Sequence, residues 1–222
     1  MQSSYDLFKA LKDAGYIKEE REELWWPKSR TFEVIVGTVL TQQAKWEKVE
    51  ICLENLRERN LLDLDSIASI DVSALSLLIK PSGFYNNKAK NLKKLCQNIS
   101  EDFGSFEEFA LHVTKEWLLS QKGIGEESCD SILCYACGQE TMVVDSYTNR
   151  LLTKFGYEFE SYSELQEWLI QGIESNYDKI NKLYKKEMDL NTIYARFHGK
   201  IVEFCKENMR GKNVNIDILG LE

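Results

Sequence analysis

Glu116-Trp117-Leu118-Leu119-Ser120-Gln121-Lys122-Gly123-Ile124-Gly125-Glu126-Glu127-Ser128-Cys129-Asp130-Ser131-Ile132-Leu133 places a short helical pattern on each side of a turn holding two glycines. Glycine admits a positive φ and lets backbone come close to a ligand. A helix beginning near Glu126 would offer free N–H groups at its start, the kind of seat a phosphate takes. The same residues also fit a tight helix–helix turn that binds nothing. Eighteen to twenty residues past the turn runs Val143-Val144-Asp145-Ser146-Tyr147-Thr148-Asn149-Arg150, with an aspartate set just before another helical pattern.

Outward from this region the chain reads as almost wholly helical. Phe32 to Leu40 is a dense apolar run, and Val49, Cys52, Leu53 and Leu56 extend it with helical spacing, which predicts one long helix. Short helices are expected at 64–70 and 72–78, then a turn at Pro81-Ser82-Gly83. Further helices are expected at 88–99, 106–113, 116–120, 126–137, 146–155, 162–176, 178–183 and 188–208. No period-2 alternation is long enough for a sheet, and residues 211–222 read ambiguously. The fold class is therefore all-α.

The 222 residues carry 28 Lys or Arg against 36 Asp or Glu, a formal charge of −8, with a pI near 5.1. Hydrophobic residues at 43% and charged residues at 29% exclude a disordered tail protein. The acidity argues against coating nucleic acid by bulk charge but allows a local basic face. No apolar run reaches about 18 residues, so no membrane span is expected. No basic-then-apolar leader is visible, which predicts a cytoplasmic protein. The six cysteines are expected as buried free thiols. Cys134 and Cys137 form a C-x-x-C, but within an apolar pattern and with no second close pair, so packing is favoured over metal or redox chemistry.

The double-glycine hairpin followed by V-V-D-x-x-x-x-R resembles the helix-hairpin-helix DNA glycosylases of the endonuclease III superfamily. Two more stretches agree. Phe32 to Gln43 reads F-E-V-I-V-G-T-V-L-T-Q-Q, similar to a family helix ending in L-[ST]-x-Q, and Gly83 to Lys90 reads G-F-Y-N-N-K-A-K, similar to G-[LF]-Y-N-x-K-A. Trp25-Trp26-Pro27 and Tyr194-Ala195-Arg196-Phe197-His198-Gly199-Lys200 look like the branch of 3-methyladenine DNA glycosylases. The resemblance implies two helical domains. One is a six-helix domain over 31–140 that includes the hairpin at about 116–137. The other is built from 1–30 and 141–222, and the active cleft lies between them. It implies double-stranded DNA with alkylated bases as partner, a monomer, and nucleoid association if the source is bacterial.

By the same resemblance Asp145 is the catalytic residue, although an aspartate before a helix is also a good N-cap. Breaking an N-glycosidic bond builds positive charge on the sugar, which a fixed carboxylate stabilises while orienting water. Family members that also cleave the strand carry a lysine two residues after the second hairpin glycine. Here that residue is Glu127, which cannot form an imine, so base removal without strand cleavage is expected. Many members hold an iron–sulfur cluster on four C-terminal cysteines. Only Cys205 follows Arg150, so no cluster is expected.

The resemblance assigns DNA contacts to the hairpin (Lys122, Gly123, Ile124, Gly125) and to Lys88. Lys88 is one of five lysines between residues 80 and 100, a run that could equally be a solvated face. It also implies a monovalent cation at the carbonyls of Leu119, Gln121 and Ile124. Gln42 and Phe84 are the candidates for filling the gap left by an extruded nucleotide. Trp25, Trp26, Pro27 and Trp46 are assigned to the base pocket, where electron-rich rings suit cationic 3-methyladenine, although adjacent tryptophans also serve as packing. Lys200 is expected near the cleft, within reach of Asp145, where a buried lysine would need neutralisation, pairing or a modification such as a carbamate. His112 reads as a surface residue. Two other readings stay open: a glycosylase for damaged pyrimidines of the endonuclease III type, and a non-catalytic helix-hairpin-helix DNA-binding protein.

Overall fold

Local chemistry sets most helix starts. Asp63, Asp71, Ser105, Thr114, Asp145, Ser161 and Asp189 each precede a helix, and the side-chain oxygen of each accepts a first-turn backbone N–H. The computed structural model describes residues 1–17, 23–211 and 213–221. Among these residues the protein is all-α, with thirteen α-helices and a single hairpin of two-residue strands.

The chain divides into two compact units, Met1–Pro27 with Glu140–Glu222, and Lys28–Gln139. The first unit opens with α1 (Ser4–Asp13). The second follows with α2 (Phe32–Thr41), α3 (Trp46–Arg57), α4 (Leu64–Ser69), α5 (Val72–Leu78), α6 (Tyr85–Phe103), α7 (Phe106–His112), α8 (Lys115–Ser120) and α9 (Glu126–Ser131). The chain then returns to the first unit with α10 (Ser146–Lys154), α11 (Tyr162–Glu174), α12 (Tyr177–Tyr184) and α13 (Leu190–Asn208).

In the first unit α1 packs on α11 and α13, and α10 on α13. Leu7, Phe8, Leu11, Leu151, Leu169, Phe197, Ile201 and Phe204 are fully buried there, each contributing about 1.5–3 kcal/mol by leaving water. The tail that the sequence left ambiguous forms an antiparallel pair, β1 (Met209–Arg210) with β2 (Asn213–Val214), and a 3-10 turn at Asp217–Leu219.

In the second unit α4 and α5 lie on α6, and α2 lies on α3. The single long helix expected from Phe32 to Leu56 is broken. Gln42 leaves helical geometry (φ −52°, ψ 116°) and Gln43 is left-handed (φ +52°) before α3 starts at Trp46. Apolar residues continue across the break because α2 is buried along most of its length and α3 buries Val49, Cys52, Leu53 and Leu56 where the two helices share a core. The helix expected over 126–137 also changes form: after Ser131 it widens into a π turn at Ile132–Ala136, which packs on α2.

Candidate active site

Asp145 is the N-cap of α10. Its Oδ1 accepts from the backbone N–H and the hydroxyl of Thr148, both at 2.8 Å. This uses one oxygen for structure and leaves the other for a second task. Oδ2 faces His198 Nε2 on α13 at 3.5 Å. The carboxylate is largely buried, with 12% of the side chain exposed. Burial opposes its charge, but His198 and the two Thr148 donors outweigh that and hold the carboxyl below its ordinary 3.8. Asp145 is therefore ionised at neutral pH. The stability this shift contributes is complete above the ordinary 3.8 and is lost as pH falls from there through the lowered value.

His198 connects this carboxylate to a tryptophan. The Trp25 ring meets the His198 ring edge-on at 5.7 Å and 86°, and its Nε1 donates to Glu203 Oε1 at 2.9 Å. Trp25 has a positive φ of 72°, half-buries its ring, and lies directly over Gly199. A Cβ at residue 199 would sit 2.4 Å from Trp25 Cγ. Trp26 is buried and meets Trp25 edge-on at 6.4 Å, with Pro27 half-buried beside it. The sequence had flagged the cluster holding His198 but assigned no role to that residue. Its signal was there: at four residues from Tyr194, it shares the buried face of α13.

Lys200 does not make the contact expected of it. Its ammonium donates to the backbone carbonyl of Tyr16 at 2.6 Å and lies 5.9 Å from the Tyr184 ring. Two residues along a helix are turned by about 200°, so Lys200 and His198 leave α13 on opposite sides, and His198 is the one that faces Asp145. Burial, with repulsion from Arg196, drives the Lys200 ammonium down to about 8. Between that value and the ordinary 10.5 the unfolded chain holds more protons, so this residue's contribution to stability rises with pH. Lys200→Met removes the dependence. Relative to wild type, the variant is expected to be most favoured at about pH 7 and to lose that advantage progressively as pH rises from about 8 toward 10.5, as read from the gap in Tm.

In the other unit, α8 and α9 flank the hairpin. Gly123 has φ +85°, a backbone conformation that demands glycine, and a Cβ there would lie 2.4 Å from Asn91 Nδ2, so the tip of that side chain would also have to move. Ile124 is buried and anchors the turn, its N–H donating to the carbonyl of Gln121 at 3.1 Å. Gln121 Oε1 accepts from Asn98 Nδ2 at 2.6 Å. Lys122, Gly125 and Glu127 are exposed, and Leu119 is 40% exposed. Among the described residues no group of three or more His, Cys, Asp or Glu is placed to hold a metal ion. Trp46 is the first residue of α3 and is half-buried. His112 lies near Glu108 and is exposed.

Two DNA assignments change. Lys88 is buried, and its ammonium donates to the carbonyls of Leu40 and Ser82, both at 2.8 Å. A side chain held in this way is directed inward and not toward a phosphate. Gln42 likewise turns to its own unit, Nε2 donating to the Gly123 carbonyl and to Ser128 Oγ, both at 2.9 Å. Its neighbour Gln43, the last residue of the L-T-Q-Q stretch, is exposed with a left-handed backbone. Phe84 is also left-handed (φ +46°) and is 67% exposed.

The chain belongs to the HhH-GPD superfamily of base excision DNA repair proteins, whose sequence profile matches residues 36–171. A Methanocaldococcus jannaschii protein classed with the DNA repair glycosylases is 37% identical over 215 residues, spanning 94% of this chain and 89% of its own. The crystal structure of an H. pylori 3-methyladenine DNA glycosylase bound to 1,N6-ethenoadenine is 47% identical. It superposes with a TM-score of 0.90 and covers 94% of this chain and 99% of that one. A non-covalent endonuclease III–DNA complex shares the fold at 17% identity and a TM-score of 0.73, over 100% of this chain and 95% of that one.

Proposed function

We propose that this protein is a DNA glycosylase that removes alkylated purines, chiefly 3-methyladenine, from double-stranded DNA and leaves an abasic site. The observation that carries the reading is the Asp145 carboxylate, with one oxygen fixed by Thr148 and the other facing His198 beneath the Trp25 ring. The likeness to the H. pylori 3-methyladenine enzyme supports the choice of base.

In this mechanism the damaged nucleotide leaves the stack, because its glycosidic bond is out of reach inside a duplex. Gln43 and Phe84 enter the gap, and the hairpin at Gly123 and Gly125 meets the DNA backbone. Trp25 stacks on the base, whose delocalised positive charge favours an electron-rich ring by about 0.5–2 kcal/mol. That charge already weakens the glycosidic bond, so little proton donation to the base is needed. As the bond breaks, Asp145 stabilises the positive sugar and orients the attacking water. The hydrolysis consumes water and releases the free base, leaving a hydroxyl on the sugar.

Glu127 occupies the position from which a lysine would attack the sugar, and a carboxylate cannot form the Schiff base that strand cleavage requires. The reaction therefore stops at the abasic site. Incubating the protein with methylated duplex DNA is expected to release 3-methyladenine on chromatography and to leave strands intact on a gel until alkali is added. Strand cleavage without alkali would contradict the single-step mechanism. The absence of any released methylpurine would contradict the substrate.

A further inference from the structure

We infer that Lys88 is a positioning residue: it ties the loop bearing Gln43 to the loop bearing Phe84, and thereby governs how well the protein opens a duplex. The inference rests on the base-flipping reading above and extends it to a residue that touches no DNA. Leu40, whose carbonyl takes one Lys88 bond, lies in the last turn of α2, three residues before Gln43. Ser82, whose carbonyl takes the other, lies two residues before Phe84. One ammonium thus holds the roots of both loops.

Both loop residues need such support. Gln43 and Phe84 are in left-handed backbone conformations, which cost an L-residue about 1 kcal/mol or more each and persist only where surroundings impose them. Phe84 exposes most of an aromatic ring, so its own packing cannot be what fixes it. The backbone N–H of Lys88 also donates to the Phe84 carbonyl at 3.0 Å, making Lys88 part of the turn that Phe84 begins. Around the bridge, Cys52 Sγ and Ser82 Oγ both donate to the Ile79 carbonyl, at 3.4 and 2.8 Å, so this patch is ordered by donors to main-chain oxygens.

The ion is costly to bury: desolvation lowers the Lys88 ammonium below its ordinary value. A neutral apolar residue would avoid that cost if packing were the only requirement. What lysine adds is reach and several donors, enough to satisfy two carbonyls from different loops at once. Loops fixed before binding lose less freedom when they insert, so the bridge favours the inserted state.

The test compares Lys88→Met with wild type on methylated DNA, either double-stranded or denatured to single strands, in which nothing must be pushed out of a stack. Excision from duplex is expected to fall about 30-fold, and excision from single strands less than about 3-fold. Equal losses on both forms would overturn the inference, since a merely structural role predicts them. Lys88→Gln keeps an N–H donor and is expected to recover part of the duplex activity. It also serves as the measured variant if Lys88→Met does not fold. In a Phe84→Ala background the same Lys88 change should cost clearly less on duplex than it does in wild type, because one of the two elements it positions is gone; full additivity would count against the inference. If wild type releases no methylpurine, the glycosylase reading fails on its own. The bridge is then judged by 2-aminopurine fluorescence in bound duplex, where an unchanged signal in Lys88→Met overturns it.

Discussion

Asp145→Asn is expected to reduce base release from methylated DNA by about 1,000-fold while leaving affinity for abasic-site duplex within about 3-fold. Asparagine is chosen because it caps helices about as well as aspartate. Its oxygen can still accept from the Thr148 N–H and hydroxyl, so α10 keeps its start. The variant loses the negative charge that faces His198 and that, in the proposed mechanism, stabilises the forming sugar cation. A capping role alone would leave both activity and Tm nearly unchanged. A chemical role removes activity and spares Tm to within a few degrees, since the oxygen that faces His198 is not the one that accepts from Thr148. Excision assays paired with thermal melts separate the two. Activity within tenfold of wild type would remove Asp145 from the mechanism.

Gly199→Ala is expected to lower base release about 10- to 100-fold while destabilising the fold by no more than about 2 kcal/mol. The added Cβ would lie 2.4 Å from Trp25 Cγ and 2.5 Å from its Cδ2. These atoms form the root of the ring, so the whole indole must shift and not merely its tip. Moving it breaks the edge-on contact with His198 and the 2.9 Å bond to Glu203. Overpacking of this kind costs about 1–3 kcal/mol, but alanine inside a helix returns up to about 1 kcal/mol over glycine. Folding therefore loses no more than about 2 kcal/mol, while the ring's position is lost outright. Excision rate and tryptophan fluorescence should change together. A large fall in Tm with unchanged activity per folded molecule would show that Trp25 is only packing.

Position explains why some of this site could be read from the chain and some could not. The hairpin glycines, the capping pattern at Asp145 and the apolar stripes are short-range features, because helix geometry repeats within a few residues. They marked the all-α class, nearly all of the helices and the residue at the centre of the candidate site. Gln42 and Gln43 show the limit of such reading. Adjacent and chemically identical, they part where Gln42 turns to Gly123 and Ser128, partners more than 80 residues along the chain that helical periodicity does not reach.

The sequence by itself determined the helical class, the double-glycine turn, the carboxylate at the head of α10 and, through these, membership of the superfamily. Tertiary structure alone decided where α2 stops, which side chain meets Asp145, and what the buried lysines do. The physical reason is the reach of the bonds involved. Lys88 finds the Leu40 carbonyl 48 residues away, and Lys200 finds the Tyr16 carbonyl 184 residues away. A buried ammonium takes whichever acceptors the assembled fold brings to it, and those acceptors are main-chain oxygens, which every residue carries and no residue name reveals.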